Sequence, residues 1–476
     1  MINGKVLIIA GSDPSGGAGL EADQKVLAAH GCYAMASTTA LTIQNTKGVT
    51  GVHVIPSDFV GKQIEACLED VIAKLVTKYK IPALVVDPVM VSTSGAQLLP
   101  HEAIAQLSQH LLPHTTLLTP NIPEATLLLT QNGHEVGEIQ SVADVEVMGR
   151  KIQELGPKWV LVKGGHMPFR RDFSVAKTNE ERDIIVDVLI GPGGSVFRVE
   201  SPYQESTSTH GTGCSLASAI SARIAQGADV PTAVRGACRY IEAGIKTAPL
   251  IGGGNGPLDH FHSTYTLPFS PGYFVEYLLE HPAVRDVWKE FVYHPFVMAL
   301  GNGTLPLESF KGYIIQDYLY LVHFSRANAL AAYKAKSIGD ISRSNEIVTH
   351  ILHEMKLHIN YCNSFGISEP EIQATEELQG EDWLALQMAL APCLLGYGAV
   401  AKMLHAHAAT VREGNTFWAW IENYNADDYV EAVRLGSELI EKNIRLQSPS
   451  RIEELVKIFV HATKMEIGFW EMFPYK

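Results

Sequence analysis

Cysteine is scarce in this chain. There are six, at Cys32, Cys67, Cys214, Cys238, Cys362 and Cys393, and no two are spaced as a CxxC pair. That scatter argues against a disulfide framework or a zinc site and for free thiols in a reducing compartment. Positive charge is also short, with 37 Lys and Arg against 51 Asp and Glu, a formal net charge of −14. With no basic stripe to offset it, nucleic acid and an anionic membrane are excluded as main partners. No apolar stretch is read as reaching membrane-spanning length. The opening run, KVLIIAG, ends at once in polar turn residues, as a first β-strand does and a signal peptide does not. A cytosolic protein is expected. Two nucleotide signatures are missing as well. The glycine-rich turn GSDPSGGAGLEADQK lacks the GK[ST] of a P-loop, and its glycines are not spaced GxGxxG.

The chain is too long, at 476 residues, for one ordinary core. Composition divides it. Up to Gly272 lie 29 of the 40 glycines but only 12 of the 39 aromatics; the other 27 aromatics follow. The Gly- and Pro-rich segment 252–272 reads as the linker, giving a first domain over 1–268 and a second over 273–476. In the first, KVLIIAG, ALVVDPVM, TLLTPN and WVLVKGG are short apolar runs alternating with helical stretches. This predicts an α/β fold with a mainly parallel sheet and helices on both faces. DIIVDVLIGPGGSVFRVES reads as a hairpin. The second domain carries apolar residues at three- and four-residue spacing in about six stretches and is expected to be an all-α helical bundle.

The first domain is organised around THGTGCS, residues 209–215, followed by small and helix-forming residues. The pattern predicts a loop turning into a helix near Gly213 or Cys214. Such a helix start offers unpaired N–H groups and the positive end of a dipole, a seat for phosphate. Cys214 would stand in that seat, where the same field lowers a thiol pKa. The plainer alternative is a glycine turn with a buried cysteine. Ligands in such sheets gather at the carboxyl ends of strands. There the sequence places Ser12, Asp13, Asp87, Asn121 and Lys163. Gln44 offers two-sided hydrogen bonding to a heteroaromatic edge. Asn121 and Glu124, three apart in PNIPE, suit a hydrated Mg²⁺ on phosphates.

AGSDPSGGAGLEAD, TALTIQNT, VVDPVM, LLTPNIPEA, VLVKGGH, THGTGCS and GNGPLDHF, in this order, resemble the hydroxymethylpyrimidine/phosphomethylpyrimidine kinases of the ribokinase-like superfamily. The resemblance implies ATP and Mg²⁺ as cofactors and a pyrimidine held by Asp23, Gln44 and the Gly11 backbone. It implies an anion hole at Gly211, Thr212 and Gly213, Cys214 as the base, Lys163 near the nucleotide, and Asn121 and Glu124 ordering the metal. A pyridoxal-type kinase is the alternative for this half.

In the second domain, Asp317 and Tyr320 lie three apart, Cys393 and Tyr397 four apart, and Glu466 and Phe469 three apart, so each pair shares a helix face. Tyr424 closes WIENY. Carboxylates, tyrosines and one thiol on apolar faces point to a polar pocket; the alternative is a plain core edge with Cys393 as a small buried hydrophobe. FxxYxxQDYxYL, APCLLGYG, WIENY and ExxFW resemble the thiaminase II family of aminopyrimidine hydrolases. That resemblance implies Cys393 as nucleophile, Glu466 as acid/base and Asp317 orienting the exocyclic amine. Tyr320, Tyr397, Tyr424 and Phe469 would line the pocket. The stretch from Ser368 to Trp383 is shorter than the family pattern and lacks its tyrosine. A non-catalytic oligomerisation or regulatory module is the competing reading. Small-molecule partners and a homo-oligomer are expected.

Overall fold

The computed structural model describes residues 3–72, 81–90, 101–364 and 382–475, without the side chains of 68–72, 318–320, 323 and 353–364. The chain divides into two compact units between Thr264 and Tyr265.

In chain order the first unit runs β1 (Lys5–Ser12), α1 (Gly19–Ala29), β2 (Tyr33–Asn45), β3 (Gly48–Val54), α2 (Ser57–Ile72), β4 (Val85–Val86), α3 (His101–Gln106), β5 (Leu117–Leu118), α4 (Ile122–Gln131), α5 (Val142–Gln153), β6 (Trp159–Val162), β7 (Ile184–Ile190), β8 (Val196–Pro202), α6 (Thr212–Ala225) and α7 (Val230–Lys246). The strands form a three-stranded sheet β1-β2-β3 and a five-stranded sheet β4-β5-β6-β7-β8. The class is α/β, and the pairing is mixed. β1–β2, β4–β5 and β5–β6 are parallel, whereas β2–β3, β6–β7 and β7–β8 are antiparallel. The β7–β8 hairpin is the one the sequence shows. β2–β3 is a second, turned by Thr46-Lys47.

Side-chain alternation explains why helices cover both faces of the larger sheet. Val160 and Val162 on β6, with Val186 and Val188 on β7, pack with Ile122, Leu128, Val145 and Ile152 of α4 and α5. Leu161 and Leu189 point the other way, into Leu216, Ile220, Val234 and Ala237 of α6 and α7. Both faces are dry, and each fully buried leucine contributes about 1.5–3 kcal/mol.

Residues 252–262 are not a free linker. Gly256 N–H donates to Thr207 O, and His210 N–H donates to Gly256 O. Leu258 is buried, and His260 Nε2 lies 3.2 Å from Ser215 Oγ. A fragment ending at residue 264 is therefore expected to melt cooperatively. One ending at 251, stripped of Leu258 at a cost of about 2–5 kcal/mol, is not. Identical thermal melts of the two would show the segment to be dispensable.

The second unit holds nine helices among the described residues: α8 (Phe274–Glu280), α9 (Pro282–Val292), α10 (Pro295–Gly301), α11 (Leu307–Lys334), α12 (Ile338–Ser364), α13 (Trp383–Ala406), α14 (Trp418–Asn423), α15 (Asp427–Ile444) and α16 (Pro449–Glu471). The excess over six arises mainly from two His-Pro steps in the first stretch. Pro282 and Pro295 cannot lie within a helix but suit its first position. His281 and His294 accept from the N–H groups of Ala283 and Phe296 through Nδ1, both at 3.2 Å. α13 corrects the expectation about apolar length. It is long and apolar enough to cross a membrane, with a mean hydropathy of 1.6 over an 18-residue window, yet 78% of that window is buried. It is the core helix of this bundle. At Gly396 a Cβ would stand 2.3 Å from the Phe291 ring, so the glycine permits the close approach of α9.

Candidate active sites

α6 begins one or two residues before the expected position, with Gly211 as its N-cap at φ 73°. Any Cβ there would lie 1.9 Å from the Gly17 carbonyl oxygen, so the turn into the helix requires glycine. The N–H groups of Thr212, Gly213 and Cys214 belong to the first turn, whose donors have no intrahelical acceptor. Lys163 Nζ lies 3.1 Å from where a Cβ of Gly213 would stand, and it donates to Asp87 Oδ1 at 2.5 Å. An ammonium and a helix start therefore converge on one point. Burial works against that ammonium, but Asp87 and Glu124 outweigh it and hold its pKa above the ordinary range.

Cys214 stands among Gly19, Asp23, Asp87 and Lys163, and its pKa departs from expectation. Burial, then the carboxylates of Asp87 and Asp23, push the thiol up to about 12, against the smaller pulls of the Gly19 N–H and Lys163. The helix dipole, about half a charge, is outweighed by burial together with the two acids. Cys214 is a thiol at neutral pH. Asp23, on α1, is buried and accepts from Ser218 Oγ at 2.8 Å. Burial raises its pKa to about 7, with Asp87 and Glu21 adding to the effect.

The direction of that shift gives a pH test. The folded value lies above the ordinary 3.8, so the folded chain holds this proton more tightly than the unfolded chain does. The penalty is absent below pH 4 and grows as pH rises towards 7. Asp23→Asn is expected to stabilise the first unit at pH 8, by ~4 kcal/mol at most, and to change its melting little at pH 4. A variant no more stable than the parent at pH 8 would contradict this.

Gln44 sits just past a register shift in β2. Its Oε1 lies 3.3 Å from Thr42 Oγ1 and its Nε2 lies 3.2 Å from His210 Nε2. His210 in turn faces Asp13 Oδ2 at 3.0 Å. Burial favours the neutral acid at Asp13, but hydrogen bonds from Ser15, His210 and Ala18 outweigh it and hold its pKa below the usual range. Gly11, the last residue but one of β1, sets its carbonyl oxygen 2.3 Å from where a Cβ of Gly19 would stand at the start of α1. Asn121 and Glu124 form a capping box on α4. Asn121 Oδ1 accepts from Glu124 N at 2.8 Å, and Glu124 Oε2 accepts from Asn121 N at 2.9 Å. Asn121 also bridges to Lys163. Burial raises the Glu124 pKa to about 7. Asp87 Oδ2 is buried with no hydrogen-bond partner among the described residues. Asp87 and His210 were visible in the sequence but were given no role; their partners lie 76 and 197 residues away.

In the second unit one pocket is lined by Asp317, Cys393, Tyr397 and Tyr424, which α11, α13 and the end of α14 bring together. Asp317 is buried and accepts from Tyr313 OH at 3.1 Å. Glu466, on α16, reaches the group through Tyr397 OH, 3.5 Å from its Oε2. Tyr397 and Tyr424 rings lie 5.1 Å apart. Phe469 packs on Tyr313 at 5.6 Å and is a wall of the aromatic core. The Tyr320 side chain and the stretch 368–381 lie outside those described. The sequence gives Tyr313, His350 and Tyr429 no individual role. Tyr313 is the first tyrosine of the FxxYxxQDYxYL motif, four residues before Asp317, and Tyr429 donates to the Leu394 carbonyl at 3.1 Å.

Residues 13–259 match the family model described as phosphomethylpyrimidine kinase, and residues 281–474 match that of the TENA/THI-4/PQQC family. Across 98% of the chain and 90% of the relative, there is 38% identity to a Schizosaccharomyces pombe protein provisionally named hydroxymethylpyrimidine/phosphomethylpyrimidine kinase 2. Identity is 31% to the hydroxymethylpyrimidine/phosphomethylpyrimidine kinase THI20 of Saccharomyces cerevisiae, over 98% of this chain and 94% of that one. The thiamine biosynthesis multifunctional protein ThiED of Corynebacterium glutamicum is 28% identical, over 98% of this chain and 67% of its own.

Proposed function

The chain belongs to the phosphomethylpyrimidine kinase family through its first unit and to the TENA/THI-4/PQQC family through its second, and on that premise we propose a bifunctional enzyme of thiamine biosynthesis and salvage. The first unit phosphorylates 4-amino-5-hydroxymethyl-2-methylpyrimidine and its monophosphate with ATP. The second hydrolyses thiamine or related aminopyrimidines to the hydroxymethylpyrimidine. The observation that carries the reading is that each unit sets one cysteine beside carboxylates at a single site: Cys214 with Asp23 and Asp87, and Cys393 with Asp317.

In the first unit Asp23, Gln44 and the Gly11 backbone hold the pyrimidine, while Gly211, Thr212 and Gly213 receive the transferring phosphoryl group and Lys163 offsets its charge. Phosphoryl transfer passes through a loose transition state that rewards alignment and charge stabilisation. A nucleophile in such a reaction releases its proton late; Cys214, a thiol at rest, orients the hydroxymethyl group and would take its proton only as the thiolate, a form that the positive charge of Lys163 and of a metal-bound nucleotide would favour by offsetting Asp87 and Asp23. Residues suited to Mg²⁺ are present. Among the described residues Asp87 Oδ2 is buried without a hydrogen-bond partner, and the acids Asp23, Asp87 and Glu124 outnumber Lys163. Asn121 and Glu124, tied up in their capping box, would act on the water shell of the ion. When bound, it would neutralise the phosphate oxygens.

In the second unit Asp317 orients the exocyclic amine and Glu466 protonates a ring nitrogen, making the ring electrophilic. Cys393 adds to it, and the substituent leaves with its bonding pair. Water then adds at the methylene carbon and the thiol is released, so one water is consumed per turnover. The partners are small molecules, the setting is the cytosol, and self-association is the expected state. The purified chain, given ATP and Mg²⁺, is expected to phosphorylate hydroxymethylpyrimidine much faster than pyridoxal. The reverse order of rates would favour the pyridoxal-type reading.

A further inference from the structure

We propose that His260 is a positioning residue of the kinase site, its ring holding the first turn of α6 at the place where that turn receives the phosphoryl group. The inference rests on the kinase reading and adds to it a residue outside the set that touches the pyrimidine, the phosphates or the metal.

Ser215 follows Cys214 directly, and its N–H donates to Gly211 O at 2.9 Å, the bond that closes the first turn of α6. The N–H groups of Thr212, Gly213 and Cys214 belong to that turn, so whatever fixes Ser215 fixes their aim. A serine within a helix often turns its hydroxyl back to the carbonyl four residues earlier. Ser221, further along α6, does so with Ala217 O at 2.8 Å. Ser215 turns the other way. Its Oγ lies 3.2 Å from His260 Nε2, and both residues are buried. A neutral ring offers Nε2 as donor or acceptor, so the bond forms with either tautomer. Without that ring the Ser215 hydroxyl would be left unpaired away from water.

The ring is held from behind. His260 O accepts from Tyr240 OH on α7, Asp259 N–H donates to Gly244 O at 2.9 Å, and His262 Nε2 lies 3.0 Å from Tyr240 O. Leu258 packs against Gly244, where a Cβ would stand 2.7 Å from its Cδ1. The segment is thus bonded to α7 on both sides of His260, and the imidazole is a strut from α7 to the first turn of α6. Burial, then the Lys25 ammonium, lower its pKa to about 4. The strut is therefore neutral near pH 7 and acts on the phosphoryl group through aim and not through charge.

The same segment reaches across the site. Gly256 O accepts from His210 N at 3.0 Å, and Asn255 N donates at 2.9 Å to the carbonyl of Thr46, two residues past Gln44. The strand end that presents Gln44 and the loop that leads into α6 are tied to one piece of backbone.

The test assays the full chain with ATP and Mg²⁺ on hydroxymethylpyrimidine or pyridoxal, whichever the parent phosphorylates faster, well below the melting temperature of each variant. His260→Leu and Ser215→Ala should each lower kcat by roughly ten- to a hundredfold, the scale of a misplacement of about 1 Å. KM for the acceptor should stay within about twofold, because Asp23 and Gln44 stand on other elements. Combined, the two changes should be no worse than the more severe alone, since they break one contact. His260→Gln, whose amide reaches as far as Nε2, should restore most of the rate. Leu258→Ala should lower the melting temperature and leave kcat close to the parent's. A kcat within about twofold of the parent in either single variant, full additivity, a glutamine that restores nothing, or a Leu258→Ala as slow as His260→Leu would each overturn the proposal. Should His260→Leu not fold, Ser215→Ala alone decides it. A parent that prefers pyridoxal overturns the substrate reading, and the strut then stands or falls on the same kcat values. A parent active on neither overturns both.

Discussion

Cys214→Ala is expected to lower ATP-dependent phosphorylation of hydroxymethylpyrimidine by roughly 10²–10⁴-fold, the range of a general base. Nucleotide binding should be nearly unchanged, because the backbone of Gly211, Thr212 and Gly213 and the Lys163 ammonium seat the phosphates. The substituted group is small and lies at the start of a helix whose packing is carried by Leu216, Ala219 and Ile220, so stability should hold. A variant keeping more than about a tenth of the parent rate would exclude the base role. A thiol held at about 12 by burial and two acids should also react slowly with iodoacetamide at pH 8 in the free chain. Fast alkylation would contradict that electrostatic assignment.

Cys393→Ser is expected to abolish hydrolysis of thiamine while phosphorylation of hydroxymethylpyrimidine continues at the parent rate. Serine nearly preserves volume in the packed wall formed with Tyr397 and Leu390, but its hydroxyl is far less readily ionised than a thiol. The loss should therefore be of orders of magnitude in rate, with melting shifted by only a few degrees. Glu466→Gln should slow the same reaction, because the amide keeps size and hydrogen bonding to Tyr397 but cannot deliver a proton. An equally active Cys393→Ser would dismiss the nucleophile assignment.

Much of this was legible in the sequence because the signals are local. Gly211, Thr212 and Gly213 followed by small residues mark a helix start, and α6 begins there. The spacings Asp317–Tyr320 and Cys393–Tyr397 follow helical periodicity, which set them on helix faces before any packing was known. What escaped depends on partners far along the chain. The Cys214 pKa is set first by burial and then by Asp87 and Asp23, so the helix dipole alone gives the wrong sign. The Asn121–Glu124 spacing suits a hydrated metal, and Asn-x-x-Glu ahead of an apolar helix is also a capping-box pattern, which the pair forms. The β2–β3 hairpin was hidden because TALTIQNT reads first as a binding motif. The segment 252–262 looks like linker by its glycines. Gly254 is needed because a Cβ there would stand 2.1 Å from the Thr46 carbonyl oxygen.

The central claim is that one chain carries two separate chemistries in series, and transfer of label from the γ-phosphate of ATP tests it most directly. The parent chain should label the pyrimidine whether thiamine or hydroxymethylpyrimidine is its only source. Cys393→Ser should label from hydroxymethylpyrimidine alone, and Cys214→Ala from neither, while free hydroxymethylpyrimidine accumulates from thiamine. Label appearing from thiamine in Cys393→Ser, or no label from hydroxymethylpyrimidine in the parent, would contradict the account.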